Sequence, residues 1–353
     1  MNAPLGKLAP EAFERLIAPH LGAPRPEVLV GPRVGADCAI VKIGAGRVMA
    51  TTCDPLSLIP VLGPVASARL SCHLVASDLW TSGIPPAYAA VSFHLPPELS
   101  DDDFAAYSIT LSETWESLGV ATITGHTGRH AGLSSTLIGA ATLIGVGDEG
   151  RYLTPMMAAP GDRVIVTKGC AIEATAIAAR LFPRKLGTLL EPEQMARAHA
   201  LLDQVSVVED CRALIRIGVH ERGVSALHDA TEGGVIGGLV ELARACGHDL
   251  RIEREKIPVT AEARAACEAF GGIDPYTALS EGSLIATVRP AFVENALAAL
   301  ADEGIAAAEI GEVMPGNGTL WLTHEDGTVE KLREPAPDPY WAAYERAMRE
   351  GWE

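Results

Sequence analysis

Nine residues constrain this chain more than any others: Leu227-His228-Asp229-Ala230-Thr231-Glu232-Gly233-Gly234-Val235. After them, apolar residues recur as Val235, Leu239, Val240, Leu242 and Ala243, the spacing of a helix with one buried face. Gly233, Gly234, Gly237 and Gly238 occupy its first turns, paired four apart. Each glycine inside a helix costs roughly 0.5–1 kcal/mol against alanine, so four of them need a local cause. That cause is close approach of another backbone segment, or of a ligand. Asp229, Thr231 and Glu232 stand just before the helix, where free N–H groups favour anions such as phosphate. Asp and Thr also cap helices well. Tight packing and anion binding both remain open on these residues alone.

With 353 residues, the chain has room for two ordinary domains or one large one. Its formal net charge of −17 makes nucleic acid and anionic membrane surfaces poor partners. An anionic nucleotide would need a divalent cation or a cluster of N–H donors. The seven cysteines are Cys38, Cys53, Cys72, Cys170, Cys211, Cys246 and Cys267. They form no CxxC, and their odd number argues against a disulfide framework. They read as mostly buried small residues in a reducing compartment. The first ten residues hold no long apolar run, and no window is apolar enough to span a bilayer. The expectation is a cytoplasmic protein.

Along the chain, residues 11–22 read as a short amphipathic helix with Phe13, Leu16, Ile17 and Leu21 on one face. Strand-like runs follow at 38–43 and 48–53, the second ending at Asp54-Pro55. A helix over 64–83 carries Ala66, Leu70, Leu74 and Leu79 inward and includes Asp78. A strand at 87–95 and a helix over 101–118, capped by Ser100, come next. Residues 120–124 read as a strand ending in the loop Gly125-His126-Thr127-Gly128, and 135–145 as a further strand. Pro155, Pro160 and Gly161 mark a domain boundary. Beyond it, strands at 163–167, 284–288, 307–313 and 320–323 alternate with helices. The tail holds Pro335, Pro337 and Pro339, then an aromatic helix with Tyr340, Trp341, Tyr344 and Met348. Strands alternating with helices predict α+β or α/β in each half.

Three carboxylates fall at element ends in the first half: Asp37, Asp54 and Asp78. Carboxylates converging from separate elements suit Mg²⁺, which takes oxygen ligands and couples to phosphates. Taken singly, each reads first as a cap or turn residue. His126 sits between glycines, where a loop can bring a side chain and N–H groups against phosphate, or simply turn. Gly145-Val146-Gly147-Asp148-Glu149-Gly150 matches GxGxxG, but no helix follows it, so the dinucleotide reading is rejected. GxxxxGK[ST], GxSxG and HExxH are absent.

Read together, five motifs resemble the aminoimidazole ribonucleotide synthetase superfamily, which includes PurM, HypE, selenophosphate synthetase and thiamine-monophosphate kinase. They are Gly35-Ala36-Asp37-Cys38-Ala39-Ile40-Val41, Thr51-Thr52-Cys53-Asp54, Ala76-Ser77-Asp78-Leu79, Gly125-His126-Thr127 and the His228–Val235 stretch. Lys168-Gly169, Ile172-Glu173-Ala174-Thr175, Leu279-Ser280-Glu281-Gly282-Ser283 and Ile310-Gly311-Glu312-Val313 resemble the HypE-like, "AIR synthase-related" branch most closely. The resemblance covers roughly residues 27–315.

The resemblance implies a PurM-like, two-domain α+β subunit. An N-terminal ATP-binding domain (1–155) forms a β-barrel across a homodimer, a C-terminal α/β domain covers 156–334, and 335–353 is a linker and tail helix. It implies ATP and Mg²⁺, with metal at Asp37, Asp54 and Asp78. Catalytic roles fall on Asp78, His126 and Asp229. ATP contacts fall on Asp37, Asp54, Thr127, Lys168, Glu173, Thr231, Glu232, Gly233 and Gly234. The implied chemistry is ATP-dependent phosphorylation or dehydration of a carbonyl- or amide-type acceptor, small or protein-borne. Two departures stand out. HypE ends in an acceptor cysteine, whereas the last cysteine here is Cys267. Selenophosphate synthetase carries a reactive Cys or selenocysteine near its N-terminus, and no cysteine precedes Cys38. The other expectations kept open are a non-catalytic dimeric nucleotide-binding scaffold that docks through its aromatic tail, and a kinase of the thiamine-monophosphate type.

Overall fold

The computed structural model describes residues 6–133 and 136–352, so Ser135, where the last strand of the first half was expected to start, lies outside the described residues. The chain divides into two compact units. One comprises Pro26–Gly31 and Asp37–Tyr152. The other comprises Met1–Arg25, Pro32–Ala36 and Leu153–Glu353.

The chain opens with α1 (Pro10–Leu16), shorter than the expected 11–22 helix, with Leu16, Ile17 and Leu21 exposed. The first unit is built on a six-stranded sheet: β1 (Val28–Val30), β2 (Ala39–Gly44), β3 (Arg47–Ser57), β4 (Tyr88–Leu95), β5 (Ala121–Arg129) and β6 (Leu137–Asp148). Strand order is β1-β2-β3-β6-β4-β5, antiparallel except for β4 beside β5. α2 (Gly63–Trp80) and α3 (Asp101–Ser117) supply its helical layer. Ser100 caps α3 as expected, accepting from the Asp103 N–H at 3.0 Å. Phe93 of β4 meets Phe104 and Tyr107 of α3 edge-on at 5.1 and 6.1 Å, and the Tyr107 hydroxyl reaches Ser71 of α2.

Two readings of this half need correction. β3 does not stop at Asp54-Pro55 but runs to Ser57, because β6 pairs with it along its whole length. Gly125-His126-Thr127-Gly128 is not a loop; it is the second half of β5. A Cβ at Gly125 would lie 2.4 Å from the Val91 carbonyl oxygen, so glycine is required for β5 to pair there. The rejected GxGxxG is explained the same way. A Cβ at Gly145 or Gly147 would strike Pro85 or Ile84 at 2.6–2.9 Å.

The second unit has a seven-stranded sheet: β7 (Arg163–Thr167), β8 (Val224–Ala230), β9 (Asp249–Glu253), β10 (Ser283–Val288), β11 (Ala307–Met314), β12 (Leu320–Thr323) and β13 (Val329–Leu332). The order is β13-β12-β9-β11-β7-β10-β8. Only β9 and β12 run parallel, so the α/β expectation for this half gives way to α+β. Its helices are α4 (Ile172–Leu181), α5 (Pro183–Leu186), α6 (Pro192–Ala200), α7 (Val208–Arg216), α8 (Gly234–Cys246), α9 (Ala261–Ala269), α10 (Val293–Asp302) and α11 (Pro339–Arg349). One core packs α8 residues Val235, Leu239 and Leu242 with Val164, Leu250, Ile285 and Ile310 of the sheet. A second core joins α4 and α9 to α11. There Tyr340 is 1% exposed, and Trp352 stacks on Phe270 at 5.8 Å. Among the described residues neither sheet closes into a barrel.

Candidate active site

The first unit gathers oxygen donors around Thr52 of β3. Its hydroxyl is 3.0 Å from the Asp37 carbonyl oxygen and 2.9 Å from Asp78 Oδ2, and it is almost fully buried. Asp37 leads into β2, Asp54 lies two residues beyond Thr52 on the same side of β3, and Asp78 comes from the last turn of α2. All three carboxylates are half-buried. Thr52 thus ties the Asp78 carboxylate to the backbone of Asp37, while Asp54 is placed near them by strand alternation alone.

His126 does not join them. Across the sheet one row runs Asp54, Ala141, Val91, Gly125, and the next runs Pro55, Ala140, Ser92, His126. Paired residues share a face and successive residues alternate, so His126 lies on the opposite face from Thr52 and Asp54. Thr127 follows it on β5 and is exposed.

In the second unit, His228 and Asp229 alternate along β8, both buried. His228 Nε2 lies 3.2 Å from Glu241 Oε2 of α8. Burial pushes the Glu241 carboxyl up, but the His228 hydrogen bond and the Lys7 ammonium, 3.7 Å from Oε1, outweigh it and hold the group below its usual range. The Lys7 backbone N–H donates to Glu232.

The glycines that follow serve packing and also meet an anion. Gly233 caps α8 in the left-handed region, and Gly234 has φ +62°. A Cβ on Gly234 would lie 2.6 Å from the Tyr276 carbonyl oxygen and 2.8 Å from that of Ala278. The anion at this helix start is the chain's own: Asp338 Oδ2 accepts from the Gly233 N–H at 2.8 Å. Gly234 N–H donates to the Thr231 carbonyl. Both glycine N–H groups expected to meet phosphate are thus engaged internally.

Lys168 is also engaged, its ammonium 2.8 Å from Asp210 Oδ2 and 2.6 Å from the Ser206 carbonyl oxygen. Glu173 lies in the first turn of α4, and its Oε2 has no hydrogen-bond partner among the described residues. Burial, then the charges of Glu232 and Asp338, push its carboxyl up to about 8. Burial likewise pushes Asp338 up to about 6.

Sequence reading passed over Thr52, Glu241 and Asp338 as individual residues. Thr52 stands inside a quoted motif. Asp338 precedes Pro339, a helix-start pattern that flags a cap. Glu241 carries no sequence signal, since only the fold brings α8 against β8.

The AIR synthase related protein, N-terminal domain model matches residues 35–146, and the C-terminal domain model matches 159–322. Carbamoyl dehydratase HypE of Rhizobium leguminosarum bv. viciae is 28% identical over 290 residues, covering 80% of this chain and 78% of that protein. Selenide, water dikinase of Geobacter metallireducens is 26% identical over 344 residues, covering 88% and 93%. The crystal structure of E. coli HypE, a hydrogenase maturation protein, aligns with a TM-score of 0.70 and 27% identity, over 82% of this chain and 87% of that one. The chain belongs to the AIR synthase related protein family, in the PurM-like superfamily that includes HypE.

Proposed function

We propose that this chain is an ATP- and Mg²⁺-dependent enzyme of the HypE-like branch that phosphorylates a carbonyl- or amide-type oxygen and, on an amide, drives dehydration. The observation that supports the reading is buried Thr52, whose hydroxyl ties the Asp78 carboxylate to the Asp37 backbone carbonyl, with Asp54 two residues further along the same face of β3. The all-oxygen chemistry of Asp37, Asp54 and Asp78 fits Mg²⁺, and those three residues would hold the ion. When bound, the ion neutralises phosphate charge. The protein's own part is positioning. Thr52 fixes the Asp78 carboxylate from inside the sheet, so the donor set needs little reorganisation. His228, held by Glu241, orients the β8 end that carries Asp229. Asp229, Thr231, Glu232 and Thr127 are proposed to contact nucleotide or acceptor; His126, on the other face of the first sheet, is proposed to lie outside that set. Lys168, Gly233, Gly234 and Glu173 are proposed to support the fold around them.

The subunit is proposed to comprise domains 1–155 and 156–334 with the 335–353 tail, and to pair as a homodimer through its first sheet. Tyr88, Ile123, Leu137 and Val146 of that sheet are exposed apolar residues, which supports an interface. The acceptor is proposed to be small or protein-borne, and Cys267 is not it. Cys267 is 2% exposed and burial pushes its thiol up to about 12, so it does not present a thiolate. The scaffold reading loses its motive, because the aromatic tail packs within its own unit.

A panel of primary amides and carbamoylated cysteine peptides, incubated with ATP and Mg²⁺, tests the reading. Dehydration releases ADP and inorganic phosphate together. A kinase releases ADP and leaves a phosphorylated acceptor. No acceptor-dependent ADP release would return the scaffold reading to the front.

A further inference from the structure

Gly6 and Lys7, just ahead of α1, rest on the stretch that leads into α8. Gly6 has φ +97°. A Cβ there would strike Glu232 Oε2 and stand 2.9 Å from Cδ1 and Nε1 of Trp341 on α11. Glycine fits that seat both in space and in backbone conformation. Lys7 then donates its backbone N–H to the Glu232 carboxylate. Its ammonium lies 3.7 Å from Glu241 Oε1. The other oxygen of Glu241 meets His228 Nε2 at 3.2 Å, one residue before Asp229. The backbone of Lys7 is thus fixed at Glu232, and its charge stands beside the group that holds the end of β8.

Lys7 and Lys168 are placed very differently. The Lys168 side chain is 9% exposed and closes on Asp210 and the Ser206 carbonyl at 2.8 and 2.6 Å. The Lys7 side chain is 59% exposed, and its 3.7 Å contact is well beyond the roughly 2.7–2.9 Å of a charge-assisted hydrogen bond. Asp229, Glu232 and Glu241 make this stretch acidic in a chain of net charge −17. Phosphate is repelled from such a place unless a cation stands there. The Gly233 and Gly234 N–H groups are already engaged, and so is Lys168.

We propose that Lys7 is the phosphate-contacting cation of the second unit, a role that rests on the ATP-dependent reading of the chain. Its ammonium exchanges the long contact with Glu241 for a phosphate oxygen of the nucleotide. A flexible stem carrying a point charge suits that exchange. Because the Gly6 seat and Glu232 fix the backbone, only the side chain has to turn.

Calorimetric titration of the untagged full chain with ATP and Mg²⁺ tests it, on the wild type, Lys7→Met and Lys7→Arg. Affinity falls at least tenfold in Lys7→Met and is largely restored in Lys7→Arg. Lys7→Met keeps the stem without the charge, and loss of an exposed ion pair costs little, so its melting temperature without nucleotide should match the wild type. Acetylation of Lys7, followed by mass spectrometry, separates phosphate contact from a merely structural part. ATP with Mg²⁺ slows it at least fivefold, and adenosine with Mg²⁺ leaves it unchanged. Three results overturn this role and leave the nucleotide reading standing: undiminished binding in Lys7→Met, a loss that Lys7→Arg does not rescue, or ATP binding that does not shield Lys7. No ATP binding by the wild type overturns both.

Discussion

Glu173 shows how much one buried group can govern the chain's pH response. It is 7% exposed and faces Glu232 and Asp338, and its carboxyl is raised from the ordinary 4.5 to about 8. Between those values the folded chain keeps a proton that the unfolded chain gives up. Unfolding free energy therefore falls as pH rises through that interval and levels off above it. The contribution is on the order of a few kcal/mol. Glu173→Gln should flatten thermal stability between pH 5 and 8 and melt higher than the wild type at pH 8. Melts with equal pH slopes in the two proteins would refute this. None of it was legible in the sequence, where Glu173 was one polar residue in a motif. The carboxylates that crowd it arrive from the α8 loop and from the tail, well over a hundred residues away for Asp338. Asp37, Asp54 and Asp78 could be singled out because each stands in one of the quoted motifs, although Asp54 proves to lie inside β3 and not at its end. Thr52, which joins Asp37 and Asp78, could not, since a threonine in a strand is ordinary.

At the scale of elements, apolar patterning found α2, α3 and α8 and most strands, although α8 and β10 are buried all round and not on one face alone. It failed where pairing overrode local signals. Glycines at 125 and 128 read as a turn, yet β4 draws them into β5. That difference moved His126 from a loop to a defined sheet face, away from Asp54. The glycines of α8 were flagged correctly as needing a cause, but the sequence left packing and anion binding level. The fold supplies both, through the 276–278 carbonyls and Asp338. Two substitutions separate conformational cost from steric cost. Gly234→Ala, at φ +62° and against two carbonyl oxygens, should cost about 2–4 kcal/mol. Gly247→Ala, at φ +70° with nothing within 4 Å, should cost only about 1 kcal/mol. Urea unfolding measures both, and equal losses would show that packing at Gly234 contributes nothing.

For the whole molecule, the resemblance pointed to family and two-unit organisation, and the family models confirm that membership. The mostly antiparallel second sheet was not foreseen, because alternating strands and helices do not reveal strand direction. The proposed dimer predicts a mass near twice 37.0 kDa by light scattering. It also predicts that Ile123→Lys, on the exposed first sheet, shifts the mass toward one chain. A monomeric wild type would remove the barrel from the account. The most direct measurement is calorimetric titration of ATP with and without Mg²⁺, on the wild type and on Asp54→Asn with Asp78→Asn. The account predicts binding that requires Mg²⁺ and weakens at least tenfold in the double variant. Undiminished binding in the double variant, or none in the wild type, would contradict it.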